Sequence, residues 1–155
     1  MPTPQEFLEQ VIRPTLATIG LSGAAAENLL LGTAIQESRL VFRRQLGNGP
    51  ARGLFQMEQP THDDIWANYL TFRQALGDQV GAQPNGAANR FAELENNDPY
   101  ACAMARVHYL RVSEALPAAN DIAALANYWK RHYNTSQGAG TADEFVANWN
   151  KAFGQ

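Results

Sequence analysis

Helix-start signals recur along this chain, and they constrain its fold more than any other feature. Residues 3–6 read Thr-Pro-Gln-Glu and residues 141–144 read Thr-Ala-Asp-Glu. Both are capping boxes, in which a threonine hydroxyl and a glutamate three residues later satisfy free N–H groups of a first turn. Asp98 and Asp121 are further candidate caps. Apolar residues at helical spacing follow each start, and no region is rich in strand patterns. The sequence therefore predicts an all-α fold.

The predicted helices are separated by turn residues. Pro14 is expected to kink the first helix, and Ser22 is the candidate cap of the second. Residues 77–88, with Pro84 and Asn85, are predicted to form a surface loop. The predicted helices run from Thr3 to Gly20, Ser22 to Arg39, Pro60 to Phe72, Ala88 to Glu95, Pro99 to Leu116, Asp121 to Tyr133 and Thr141 to Phe153.

Composition bounds the class of protein. At 155 residues, of which 45% are hydrophobic, the chain is predicted to be a single domain, residues 1–155. The net charge is −3 and no basic stripe stands out, so nucleic acid is not an expected partner. No apolar run approaches the roughly 20 residues of a membrane span. The N-terminus lacks a basic start and an apolar core, so no signal peptide is expected. The single cysteine, Cys102, is predicted to be a core residue.

Glu37 is the residue that most needs an explanation. In the second predicted helix it shares a face with Leu30, Thr33 and Ala34, because residues three, four and seven apart lie on one side. A carboxyl group on an apolar face loses hydration, which raises its pKa. Such a group can stay protonated near neutral pH and donate a proton to a leaving oxygen. The alternative is a structural glutamate that reaches solvent or pairs with a nearby arginine: Arg39, Arg43 or Arg44.

Glu37 also begins a series of three motifs. Glu-Ser-Arg at 37–39 is followed by Gly-Leu-Phe-Gln-Met at 53–57 and by Ala-Leu-Ala-Asn-Tyr-Trp-Lys-Arg-His-Tyr-Asn at 124–134. In this order the three pieces resemble the E-S, G-L-x-Q and A-x-x-x-Y-N motifs of soluble lytic transglycosylases and goose-type lysozymes. Residues 53–70 are most similar to phage-encoded members. The resemblance covers residues 24–134 and implies an all-α, lysozyme-like domain with a substrate groove.

Two positions depart from the family pattern. The family has a serine in the loop before its second motif, where this chain has Asn-Gly-Pro at 48–50. The family's Tyr-Asn-Ala-Gly is Tyr-Asn-Thr-Ser at 133–136 here, and glycines follow at 138 and 140. Both departures affect expected sugar contacts and leave the acid in place.

The resemblance implies a lytic transglycosylase that cleaves peptidoglycan between N-acetylmuramic acid and N-acetylglucosamine. Glu37 is then the general acid and afterwards the base, and Tyr133 is expected to orient it by a hydrogen bond to its carboxyl group. An alternative is that Tyr133 is only a core residue. Gln56 and the backbone from Gly53 to Phe55 are expected to hold the sugar's amide groups. The remaining substrate-binding candidates are Ser38, Glu58, Tyr128 and Asn134.

The segment from Leu54 to Glu58 carries alternating side chains. If it is extended, Gln56 and Glu58 face one cleft; the alternative is a short exposed turn. Asp64 is interpreted as the partner of Thr61 in a helix cap, with Asp63 as a second acid of the first turn. No metal or cofactor is expected, because the three histidines lack metal-ligand spacing: His62, His108 and His132.

Two other functions remain open at this stage. Glu58 could serve as a base for water, which would make the chain a muramidase that leaves reducing ends. The domain could also bind glycan without cutting it, as a phage structural protein. The expected partners are peptidoglycan glycan strands and phage virion or lysis proteins, and the chain is expected to be monomeric. Its expected location is a phage virion, or the host cytoplasm with delivery to the periplasm or cell wall.

Overall fold

A computed structural model describes residues 2–83, 90–134 and 138–154 of the chain. Within these ranges the secondary structure is helical apart from two isolated β-bridges, so the all-α prediction is confirmed there. Predicted features at Pro84, Asn85, Ala88, Thr135 and Ser136 lie outside the described residues. The helices are α1 (Pro4–Phe7), α2 (Arg13–Thr18), α3 (Ala24–Ser38), α4 (Gln59–Asn68), α5 (Gln74–Gly81), α6 (Arg90–Glu93), α7 (Asp98–Leu110), α8 (Ile122–Trp129) and α9 (Ala142–Ala152).

The first predicted helix contains a π-helical turn. α1 begins with Thr3, whose side chain accepts a hydrogen bond from the N–H of Glu6 at 3.1 Å, as the capping box predicts. α1 continues through the π turn Leu8–Ile12 into α2. This turn directly precedes Pro14, whose missing N–H removes one helical hydrogen bond. The irregularity predicted at Pro14 is therefore found one turn before it.

α3 lies at the centre of the packing, against α7, α8 and α9. Its N-cap is Gly23 and not the predicted Ser22, and no side chain caps its first turn. Gly32 allows the approach of α9, because a Cβ there would overlap the Phe145 ring. The helix is apolar around most of its circumference, and its fully buried residues include Leu30, Leu31, Thr33 and Ala34.

α7 is the second core helix, with eight buried residues that include Cys102. Its N-cap is Asn97, whose side chain accepts from the N–H of Tyr100 at 3.1 Å. The predicted cap, Asp98, instead pairs with Arg43 at 2.6 Å. The helix also ends at Leu110, six residues before the predicted end at Leu116.

The region between α3 and α7 departs most from prediction. α4 begins after Glu58 without a side-chain cap, so the predicted cap of Thr61 and Asp64 is wrong. Asp64 lies 2.7 Å from a guanidinium nitrogen of Arg111 instead. The predicted surface loop at 77–88 is helical up to Gly81, in α5. Gly77 serves close packing there and not a turn, because a Cβ at that position would lie 3.0 Å from the Leu70 carbonyl oxygen.

The last two helices begin where the capping signals place them. Asp121 accepts from the N–H of Ala124 at 3.0 Å, and Thr141 accepts from the N–H of Glu144 at 3.1 Å. α8 runs on into a π-helical turn, Lys130–Asn134. Among the described helices, none combines the length and apolar character that a membrane crossing requires.

Candidate active site

Glu37 lies in the last turn of α3 and lines a cleft. Leu30, Thr33 and Ala34, on the same helix face, are fully buried, and Glu37 itself is half-buried. Its Oε2 atom accepts a hydrogen bond from Nε1 of Trp129 at 3.0 Å. The prediction of a carboxyl group on a dry helix face is therefore confirmed.

The alternative in which an arginine pairs with Glu37 is wrong for the described residues. Arg43 pairs with Asp98, and Arg44 pairs with Glu95. The side chain of Arg39 has no ion-pair or hydrogen-bond partner among the described residues. The Glu37 carboxyl group thus accepts a hydrogen bond from a neutral indole and is not paired with a guanidinium of Arg39, Arg43 or Arg44.

Burial raises the pKa of Glu37 to about 7, from 4.5 for an ordinary glutamate. Loss of hydration is the largest cause. The hydrogen bonds from Trp129 and Asn134, and the positive charge of Lys130, act in the opposite direction because they stabilise the carboxylate. Near neutral pH both protonation states of Glu37 are therefore populated. A group with that property can donate a proton in one step and accept one in the next.

Trp129 is the orienting residue that sequence reasoning missed. Its ring is fully buried against Phe145, with centroids 5.5 Å apart. Gly140 leaves room for this ring, because a Cβ there would lie 2.7 Å from it. One signal was available: a buried tryptophan needs an acceptor for its N–H, and Glu37 is the acceptor it finds.

Tyr133 lines the cleft, but its hydroxyl does not bond to Glu37 as predicted. The hydroxyl donates to the backbone carbonyl of Phe55 at 2.6 Å. The Tyr133 ring stacks on Tyr109 with centroids 5.2 Å apart. Burial raises the pKa of Tyr133 well above its usual value, and the nearby charge of Glu37 adds to this rise. Tyr133 therefore joins the loop at 53–58 to the turn that follows α8. The hydrogen bond to Glu37 that was predicted for Tyr133 is made by Trp129.

The π-helical turn after Trp129 organises the rest of this wall. Such turns occur often at functional sites. Nζ of Lys130 donates to Asn134 Oδ1 at 2.7 Å and to the carbonyls of Gly138 and Gly140 at 3.0 and 2.6 Å. Because Oδ1 of Asn134 accepts from Lys130, its amide nitrogen is free to donate towards Glu37, whose pKa it lowers. Asn134, predicted to bind substrate, thus lies beside the acid.

The opposite wall is a loop held in an uncommon backbone conformation. Gln56 has φ = 50°, although it is not glycine. Its Nε2 donates to the carbonyls of Phe42 and Gly53 at 3.2 and 2.9 Å. Carbonyl oxygens can only accept, so this contact fixes which end of the amide faces the loop. The Oε1 end of Gln56 is left as an acceptor for a ligand in the cleft.

Of the two alternatives for residues 54–58, the extended one is wrong, because residues 53–56 form a turn. Leu54 is buried together with Phe55 and Met57, so the side chains do not alternate. Gln56 and Glu58 nevertheless both line the cleft, as the sequence predicts.

The side chains of three residues among the substrate-binding candidates have structural contacts. Ser38 is buried, and its Oγ lies 2.7 Å from the Leu54 carbonyl, which joins the end of α3 to the loop. The Phe55 side chain is buried against Phe7, with centroids 6.0 Å apart. Tyr128 is buried, and its hydroxyl donates to a backbone carbonyl at 2.9 Å. None of the three lines the cleft.

The cleft measures about 440 Å³ and is polar, with amide, carboxylate and backbone groups on both walls. A glycan needs such a surface, because its hydroxyl and acetamido groups must exchange water for protein partners. Besides Glu37, the carboxylates of Glu58 and Glu144 line it. Its lining residues are Gln36, Glu37, Arg39, Gln45, Ala51, Gln56, Glu58, Trp129, Tyr133, Asn134, Gly138, Ala139, Gly140 and Glu144.

No group of three or more histidine, cysteine, aspartate or glutamate side chains in the described part of the chain is arranged to hold a metal ion. No protein-family model, curated protein or solved structure matches this chain. The functional argument therefore starts from the cleft and its chemistry.

Proposed function

We propose that this chain is a lysozyme-like domain that cleaves peptidoglycan as a lytic transglycosylase. The observation that carries the proposal is Glu37, a half-buried carboxyl group in a polar cleft whose pKa is about 7. The order of the three motifs along the chain supports the same assignment. The third motif ends with Tyr133 and Asn134, in the turn Lys130–Asn134. Both residues line the same cleft as Glu37 and Gln56.

The proposed reaction uses Glu37 twice. Its carboxyl group protonates the glycosidic oxygen, and the bond from that oxygen to C1 of N-acetylmuramic acid breaks. The 2-acetamido group of the same sugar stabilises the positive charge that develops at C1. The Glu37 carboxylate then takes the proton of the sugar's 6-hydroxyl as its oxygen bonds to C1. This closes a 1,6-anhydro ring and returns Glu37 to its acid form.

The surroundings of Glu37 fit both halves of this cycle. Loss of hydration favours the acid form needed for the first step. The N–H of Trp129 and the amide of Asn134 stabilise the carboxylate that exists between the steps. Neither is itself an acid at neutral pH, so neither competes for the proton. Gln56 offers its Oε1 atom to a sugar acetamido N–H, in keeping with its expected role.

A muramidase is the second candidate, favoured by the carboxylates of Glu58 and Glu144 in the same cleft. Either could activate a water molecule for attack at C1, which would leave a reducing end. Glu58 precedes α4 and Glu144 lies in the first turn of α9. They thus enter the cleft from different elements than Glu37.

Turbidity loss of purified cell walls tests the proposal. The wild type is expected to clear them, and Glu37→Gln to slow clearing by about 10²–10⁴-fold, the usual contribution of a general acid–base group. Glu27→Gln is the matched control, since Glu27 lies on the same helix and pairs with Arg13 at 3.1 Å, outside the cleft. Clearing that survives in Glu37→Gln would remove the acid assignment. No clearing by the wild type, with wall binding retained, would favour the non-catalytic glycan-binding domain.

Mass spectrometry of the released fragments separates the two catalytic candidates. Anhydro ends support the transglycosylase, whereas reducing ends support the muramidase. For reducing ends, Glu58→Gln and Glu144→Gln then identify the base, because only one substitution should abolish cleavage.

A further inference from the structure

Among the described residues that line the cleft, Arg39 alone carries a positive charge. Arg39 is exposed and lines the cleft at the end of α3. Its side chain has no hydrogen-bond or ion-pair partner among the described residues. By contrast, Lys130 already donates to three oxygen atoms, which uses every donor of its ammonium group.

The cleft otherwise repels anions, because Glu58 and Glu144 line it as well. A negatively charged part of a ligand is therefore disfavoured at most positions and favoured beside Arg39. A guanidinium matches a carboxylate with two parallel hydrogen bonds, which a neutral hydroxyl cannot reproduce. The charges of the cleft thus favour an anionic group beside Arg39, and the guanidinium favours a carboxylate there over a hydroxyl.

The backbone of Arg39 strengthens this argument. Arg39 is the C-cap of α3 and has φ = 57°, in the left-handed region where glycine is favoured. Its N–H bonds to the carbonyl of Ile35 at 3.0 Å, so the cap itself needs no side chain. No hydrogen bond or ion pair of its side chain within the described part of the fold accounts for an arginine at this strained position. A role towards a ligand accounts for it.

We propose that Arg39 binds a carboxylate of the muramic acid substituent, so that the cleft selects carboxylate-bearing glycan over neutral chitin. This rests on the proposed function. The carboxylate has two possible sources: the lactyl group of a sugar without peptide, or the peptide stem. Both present the same chemistry to the guanidinium, and the substrates below distinguish them.

Binding is measured by calorimetry in the Glu37→Gln background, so that no ligand is cleaved. The ligands are chitohexaose, which is neutral; glycan strands stripped of peptide, which carry the lactyl carboxylate; and peptide-bearing strands. Arg39→Gln is expected to weaken binding of a carboxylate-bearing strand about tenfold, the effect of losing one charge-assisted hydrogen bond. Chitohexaose binding should change less than twofold. The difference should shrink in high salt.

Two further variants separate this role from a structural one. Arg39→Gly is expected to raise the melting temperature, because glycine accepts the positive φ, while it weakens carboxylate binding as Arg39→Gln does. Arg73→Gln is the matched charge control: it is exposed, lies over the Tyr69 ring and does not line the cleft. It should leave all three affinities unchanged.

Each outcome has one meaning. Weaker binding of the peptide-free strands alone in Arg39→Gln assigns the contact to the lactyl carboxylate, and weaker binding of the peptide-bearing strands alone assigns it to the stem. Weaker binding of both strands means that the guanidinium accepts either carboxylate. Equal loss with chitohexaose, or no loss with any strand, overturns the role of Arg39 and leaves the proposed function standing. Binding of none of the three ligands by the Glu37→Gln protein overturns the proposed function and this inference together.

Discussion

Glu37→Gln is predicted to stabilise the fold at alkaline pH while it slows cleavage by about 10²–10⁴-fold. The folded protein holds Glu37 with a pKa of about 7, whereas an unfolded chain exposes it with the ordinary value of 4.5. A group whose pKa is raised in the folded state favours folding below the unfolded value. That contribution is lost as the pH rises through the folded value. The stability of the wild type should therefore fall between pH 4.5 and 7, relative to the variant.

The size of the effect follows from the two values. The rise from 4.5 to about 7 corresponds to about 3 kcal/mol, since one pKa unit corresponds to about 1.36 kcal/mol. Glutamine has the shape of the protonated acid, and it can still accept from Trp129. The two proteins should thus be nearly equal in stability near pH 4.5, and the variant should be more stable by about 3 kcal/mol at pH 8.5.

Urea unfolding at pH 4.5, 6, 7.5 and 8.5 measures the difference directly. Glu27→Gln, on the same helix, controls for the substitution itself, because an exposed ion pair contributes at most about 1 kcal/mol. A gap between wild type and Glu37→Gln that stays constant with pH would refute the reasoning. So would a variant that is less stable at pH 8.5, since either result means that the Glu37 carboxylate is well solvated.

Three more substitutions test the surroundings of Glu37 and the packing below it. Trp129→Phe removes a donor to the carboxylate, so the pKa of Glu37 should rise by about one unit, seen as an alkaline shift of the pH–rate profile. Tyr133→Phe leaves the Phe55 carbonyl unpaired and should cost about 1–3 kcal/mol in unfolding free energy, without moving that profile. Gly32→Ala puts a methyl group where α9 packs, and should cost about 1–3 kcal/mol by overpacking.

A different result would contradict each of these three predictions. An acid shift of the profile in Trp129→Phe would mean that the indole does not stabilise the carboxylate. A shifted profile in Tyr133→Phe would restore the predicted contact between Tyr133 and Glu37. Unchanged stability in Gly32→Ala would mean that α3 and α9 are less closely packed than the Phe145 ring contact requires.

Capping signals predicted the helix starts well where the cap is made within one turn. Thr3, Asp121 and Thr141 each accept from an N–H three residues ahead, and all three starts are confirmed. At α7 the cap is Asn97, one residue before the predicted cap Asp98. Asparagine and aspartate both cap helices well. The Asp98 side chain accepts a hydrogen bond from Arg43, which lies 55 residues away in sequence. Asn97 is left to make the cap.

The sequence alone determined the all-α class and the dry helix face of Glu37, because both depend on neighbours within two turns. Only the tertiary structure decided what touches the acid. Trp129 lies 92 residues away in sequence, and the chain offers several aromatic residues that could have taken its place. Which of them reaches Glu37 depends on how α8 and α9 pack on α3, through contacts such as that of Gly32 with Phe145. The pKa of Glu37, and the chemistry proposed from it, is set by that packing.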